Sequence, residues 1–86
     1  MFGIKKTKRV HVRYFAALRE QAGRTEEALE TSARTPADLY AELVERYGLK
    51  VAGELLQVAL NDRYSDMQGE LHDGDRVAFI PPVSGG

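Results

Sequence analysis

Residues 71–86 read LHDGDRVAFIPPVSGG, and this stretch holds a core plug, a tight turn, a strand, a strand stop and a tail. Asp73, Gly74 and Asp75 are turn formers, because aspartate side chains bond nearby backbone and glycine accepts positive φ. Over residues 76–80, Val77 and Phe79 point one way and Ala78 and Ile80 the other, since strand side chains alternate between faces. Pro81 and Pro82 end the strand, because neither has an N–H to donate to a ladder. Leu71 is placed to plug a core between turns.

Upstream of this stretch, the rest of the fold reads as a complement to it. Val10, Val12 and Tyr14 alternate with His11 and Arg13, a half-buried strand. Residues 16–22 are alanine-rich and favour a short helix closed by Gly23. Residues 25–31 form a weak strand whose apolar residues are Ala28 and Leu29, which predicts a sheet edge. Thr35 suits a helix N-cap, Pro36 the first helical position, and Asp38 the positive end of the helix dipole. Leu39, Leu43, Val44 and Tyr47 follow at helical spacing, Glu42 and Arg46 are placed for an i,i+4 pair, and Gly48 stops the helix. Residues 56–60 form a strand with Val58 and Leu60 on one face, and Asn61 and Asp62 begin a turn. The order is strand, short helix, strand, long helix, strand, strand. It predicts an α+β fold with the long helix across one face of a sheet.

Composition narrows the function. A chain of 86 residues is one small domain, and a hydrophobic fraction of 43% supplies a modest core. The formal net charge of -1 gives no electrostatic pull toward nucleic acid or a membrane surface. No apolar run approaches the roughly 20 residues of a membrane span. Cysteine is absent, so disulfides, thiolate metal sites and cysteine nucleophiles are excluded, and a cytoplasmic location is expected. Lys5, Lys6, Lys8, Arg9 and Arg13 precede any acidic residue, but no aromatic platform accompanies them, so residues 1–8 read as a solvated extension of a domain at 9–80.

Catalytic chemistry is not evident. His11 and His72 are the two histidines, and neither has a partner at metal-ligand spacing. The acidic residues between 62 and 75 do not follow a calcium-loop pattern. Gly69 and Gly74 are isolated turn residues, not a phosphate cradle. Ser65 and Ser84 lack an evident general base. The expectation is a module that is not catalytic alone and binds no metal or cofactor itself.

The tail, residues 81–86, carries the functional signal. At an average glycine usage of about 7%, two glycines at two given positions arise by chance about 0.5% of the time. Two prolines stiffen its root, and Gly85 and Gly86 have no Cβ, so the tip can enter a narrow tunnel. Six extended residues reach about 20 Å. The Gly86 carboxylate is the reactive group so delivered. A free carboxylate is a poor acyl donor, so a partner must activate it by adenylation. Sulfide or a persulfide would then give a thiocarboxylate; an amine would give a protein conjugate. The tail does not decide between them.

FAALRE at residues 15–20, with LHDGDRVAFIPPVSGG at 71–86, resembles the ThiS/MoaD family of sulfur carriers, and among them the small subunits of molybdopterin synthase. The resemblance spans residues 9–86. It implies a ubiquitin-like β-grasp with a mixed four- to five-stranded sheet. It implies that an E1-like adenylyltransferase activates Gly86 with ATP, and that a sulfur donor converts it to a thiocarboxylate. The tail would then enter the synthase large subunit and give sulfur to cyclic pyranopterin monophosphate, in a heterotetramer of two large and two small subunits. The catalytic residues would belong to the large subunit. A covalent protein modifier and a carrier for thiamine thiazole synthesis are the alternatives. The resemblance also implies an apolar docking face on the sheet, which places Ile80, Ala78, Pro81, Pro82 and Val83 as partner contacts. Family members often carry an aromatic where Ile80 stands, so the anchor here is smaller.

Overall fold

The structure, a computed structural model, describes residues 6–83. Gly85 and Gly86, and residues 1–5 of the expected extension, lie outside the described residues. The elements are β1 (Lys8–Tyr14), α1 (Ala16–Ala22), β2 (Glu26–Thr31), α2 (Pro36–Tyr47), a single 3₁₀ turn (Gly53–Leu55), β3 (Gln57–Leu60), β4 (Arg63–Ser65) and β5 (Arg76–Ile80). They form an α+β fold with one five-stranded mixed sheet in the order β2-β1-β5-β3-β4. β1 and β5 run parallel at the centre, and the other pairings are antiparallel.

The register sorts side chains as period-2 alternation demands. Val10, Val12 and Tyr14 of β1, Val77 and Phe79 of β5, and Val58 of β3 are buried on one face. Leu39, Tyr40 and Leu43 of α2 cover that face, with Leu18 of α1 and Leu71 from the long loop completing the core. The Tyr40 and Phe79 rings meet at 5.3 Å between centroids. α2 begins as its residues predict: the Thr35 hydroxyl accepts from the Asp38 N–H at 3.1 Å, and Pro36 occupies the first turn. It ends at Gly48, whose φ of 68° is the left-handed conformation that glycine tolerates without a Cβ clash.

Four features differ from the sequence expectations or add to them. First, β1 starts at Lys8, which pairs with Thr31 and donates from Nζ to the Ala33 carbonyl at 2.6 Å, so this residue belongs to the domain rather than to an extension. Second, the reading of individual residues lacked β4, whose three residues are all exposed and therefore show no alternation. Third, no Glu42–Arg46 ion pair is among the described contacts. Glu42 instead accepts from the Thr31 hydroxyl at 2.7 Å, because a buried hydroxyl needs a partner more than an exposed arginine does. Fourth, Tyr40 joins the core face of α2, with its hydroxyl donating to the Val51 carbonyl at 2.5 Å.

The turn at 73–75 is pinned from both sides. The Gly74 N–H donates to the Arg9 carbonyl at 2.7 Å, and the Arg9 N–H to Asp73 Oδ1 at 2.8 Å. Asp75 is nearly buried; its Oδ1 accepts from Asn61 Nδ2 at 2.9 Å and its Oδ2 from the His72 N–H at 2.8 Å. Asn61 and Asp62 have φ of 53° and 72°, the two positive values that a tight hairpin turn requires between β3 and β4. Asn61 Oδ1 also accepts from the Arg76 N–H at 3.0 Å, tying that hairpin to the start of β5.

Candidate functional site

The face of the sheet opposite α2 has no described element packed over it. By alternation it carries Arg9, His11 and Arg13 from β1, Glu26, Ala28 and Glu30 from β2, Arg76, Ala78 and Ile80 from β5, Ala59 from β3 and Tyr64 from β4. A shallow depression of about 630 Å³ runs across it, with Phe15, Ala59, Tyr64, Ala78 and Ile80 among its lining residues. Ala28 on β2 apart, these are the apolar members of the open face, and they gather where β5 hands over to Pro81.

Local backbone geometry places each of them. β1 and β5 are parallel with Tyr14 opposite Phe79, so both strands end on the same side of the molecule. Ala16 follows with a φ of 52°, a sharp departure from the strand, and leaves Phe15 half-buried at the rim of the depression. The Arg13 guanidinium lies 5.3 Å from the Phe15 ring centroid. Tyr64 sits opposite Ala59 in the β3–β4 hairpin and is 75% exposed, so its ring is available to a partner.

The polar half of the face is organised in hydrogen-bonded and ionic pairs. His11 Nε2 meets Glu26 Oε1 at 2.5 Å, Arg76 meets Asp62 at 2.6 Å, and Arg9 reaches Glu30 at 4.0 Å. The hydrogen bond from His11 holds the Glu26 carboxyl below the usual carboxylate range. His72, on the other histidine-bearing segment, neighbours Glu70 at 3.5 Å on the surface. Behind the sheet, Glu27 accepts from the Tyr14 hydroxyl at 2.6 Å and the Tyr47 hydroxyl at 2.7 Å and pairs with Arg24 at 3.0 Å. Burial pushes against the Glu27 charge, but the two hydroxyls and the guanidinium outweigh it and hold the carboxyl low. This cluster knots β1, β2 and α2 together beneath the site.

Of the residues expected at a partner surface, Ile80 and Ala78 lie together on the open face, half-buried, and Pro82 and Val83 are exposed beyond them. Pro81 is different. It is buried, so its ring packs into the domain and offers little to a partner. Gly85 and Gly86 are outside the described residues. Reading the sequence missed Phe15, Ala59 and Tyr64 as members of this face. Phe15 is visible in the sequence as an aromatic just beyond a strand; Tyr64 and Ala59 become neighbours of Ile80 only through the strand order. Among the described residues no group of three or more His, Asp or Glu side chains could hold a metal ion. No described helix is long and apolar enough to cross a membrane.

Residues 12–86 match the ThiS family. The chain is 40% identical over 82 residues to the molybdopterin synthase sulfur carrier subunit of Chlamydomonas reinhardtii, covering 90% of this chain and 98% of that protein. It superimposes on the Haloferax volcanii HVO 2177 protein with a TM-score of 0.78 at 31% identity, covering 100% of this chain and 93% of that one. It is also similar to a chain in the complex of subunits 1 and 2 of molybdopterin-converting factor from Helicobacter pylori, with a TM-score of 0.60 at 35% identity, covering 91% of this chain and 99% of that chain.

Proposed function

This chain belongs to the ThiS family, and from that premise we propose that it is the sulfur-carrier subunit of molybdopterin synthase, working through its C-terminal glycine. The observation that carries the reading is the position of the apolar depression. Ile80, Ala78, Phe15 and Tyr64 form a docking surface at the root of the tail, so a partner seated there receives the tail directly. The ubiquitin-like β-grasp supplies the rigid platform, and the Helicobacter pylori complex pairs a similar chain with a second subunit. The synthase large subunit is the partner this surface fits.

In this function the Gly86 carboxylate attacks the α-phosphorus of ATP on an E1-like adenylyltransferase, releasing pyrophosphate. A sulfur donor then displaces AMP and leaves a thiocarboxylate. The thiocarboxylate sulfur is the nucleophile toward cyclic pyranopterin monophosphate in the large subunit; water then hydrolyses the acyl–sulfur bond so formed, leaving the sulfur on the substrate and returning the carrier as the carboxylate. Two sulfurs are needed for one dithiolene, which suits an assembly of two large and two small subunits. This chain positions and delivers; it binds no ATP or metal of its own. A cytoplasmic location fits its cysteine-free sequence.

The test is intact-protein mass spectrometry after co-expression with the adenylyltransferase and a sulfur source. The expected result is a mass gain equal to one oxygen-to-sulfur exchange, located on the peptide ending in Gly86. A chain that stays unmodified where a known carrier is converted would sink the proposal. Branched peptides joining Gly86 to lysines of other proteins, with no thiocarboxylate, would make it a covalent modifier instead.

A further inference from the structure

Three arginines and a histidine stand on the open face, and all but Arg13 have a carboxylate partner. Arg9 reaches Glu30 at 4.0 Å, His11 has Glu26 at 2.5 Å, and Arg76 has Asp62 at 2.6 Å. Arg13 has none within that range among the described residues. Its neighbour across the ladder on β2 is Glu26, which His11 has already engaged, and its neighbour on β5 is Ala78. What it does have is the ring of Phe15, 5.3 Å from its guanidinium carbon. A guanidinium over an aromatic ring is held in place while its in-plane N–H donors remain free.

Arg13 thus borders the apolar depression at the end where the tail leaves. A partner that closes over Phe15 and Ile80 covers Arg13 as well. Taking an unpaired guanidinium out of water is costly unless the partner supplies an acceptor for it. An apolar or basic group at that place is therefore rejected, and a carboxylate is accepted in a bidentate pair.

Building on the carrier reading above, we propose that Arg13 is a specificity-determining residue of the docking face. The synthase large subunit sets an aspartate or glutamate against the Arg13 guanidinium, beside the apolar contact with Phe15 and Ile80. Arg9 and Arg76 already face carboxylates within the chain and leave this one guanidinium to select the partner.

The experiment is isothermal titration of the recombinant large subunit encoded in the same genome with the full chain and three variants at 0.15 M salt. Arg13→Gln should weaken binding about tenfold, and Arg13→Glu about a hundredfold. Arg9→Glu is the control. It makes the same charge change on the same strand face roughly 13 Å away, beyond the Debye length of about 8 Å, and should change affinity by less than about threefold. Equal losses for Arg9→Glu and Arg13→Glu would mean that overall charge alone matters and would overturn the proposal. So would binding of Arg13→Glu as tight as the parent chain. If Arg13→Glu misfolds by circular dichroism, Arg13→Gln decides, and a loss under threefold overturns it. A parent chain that does not bind the large subunit at all overturns both this inference and the carrier reading.

Discussion

Tyr14 and Phe79 lie opposite one another in the parallel β1–β5 ladder, and both are buried in the core. Their successors, Phe15 and Ile80, therefore come out side by side on the opposite face. Two aromatic side chains on the inside fix the spacing of two apolar side chains on the outside. The proposed docking surface inherits its precision from the core.

That surface should respond to single substitutions without loss of fold. Tyr64 is largely exposed, so Tyr64→Ala should change stability by no more than about 0.5 kcal/mol. Removing its ring from the contact should weaken large-subunit binding about tenfold. Ile80→Asp should weaken it further, and Ile80→Phe should tighten it by restoring aromatic area. Titration calorimetry alongside thermal melts separates the two effects; an affinity unchanged in both Tyr64→Ala and Ile80→Asp would remove this face from the interface.

The tail should be separable from the domain. Deleting Gly86, or appending one residue after it, should abolish thiocarboxylate formation in the mass assay. Thermal unfolding should be unaffected, because the core is assembled from residues between Val10 and Phe79. A shortened chain that still acquires sulfur would show that the C-terminal carboxylate is not the acceptor.

Glu27 should set the acid limb of the stability curve. Its folded carboxyl titrates below its unfolded value, so its contribution is complete above the unfolded pKa of about 4.3 and is lost as pH falls through the folded pKa. Glu27→Gln should cost about 1–3 kcal/mol at neutral pH and flatten that limb, as read by urea unfolding between pH 3 and 7. Tyr14 gives the opposite limb. Burial and the bond to Glu27 raise its pKa, so the folded state keeps a proton that the unfolded chain releases above about pH 10, and stability should fall there.

Asp75 should matter to the fold more than its place in a turn suggests. It accepts from Asn61 Nδ2 and from the His72 N–H while nearly buried. Asp75→Ala leaves both donors without that partner and should cost about 2 kcal/mol by chemical denaturation. A loss below about 0.5 kcal/mol would show that water replaces the carboxylate at little expense.

How far the sequence speaks for itself depends on whether the information is local. The start and stop of α2 are legible because Thr35, Pro36, Asp38 and Gly48 act on their own backbone. The inward set Val77 and Phe79 and the outward set Ala78 and Ile80 are legible because alternation is a property of one strand. β4 is not, since Arg63, Tyr64 and Ser65 all face water and are recruited by β3 through pairing alone. Glu42 is misread for the same kind of reason. Arg46 is near in sequence, but the buried Thr31 hydroxyl, brought in by the β2 strand, takes its carboxylate. The candidate site divides likewise: Ile80 and Ala78 follow from one strand, and Phe15 and Tyr64 from the assembled sheet.

Pro81, buried at the end of β5, turns the tail into a gauge. Because its ring is clamped in the domain, the length of the tail is counted from Pro82 and not from the end of the strand. Five residues then remain through Gly86, with a reach of at most about 18 Å at the extended limit. The acceptor chemistry in any partner must lie no deeper than that below the seat of Ile80. Adding a residue between Val83 and Gly86 would overshoot a fixed depth, and removing one would fall short. On the carrier reading, the clamp at Pro81 makes the length of the last five residues a specification for any enzyme that takes up Gly86.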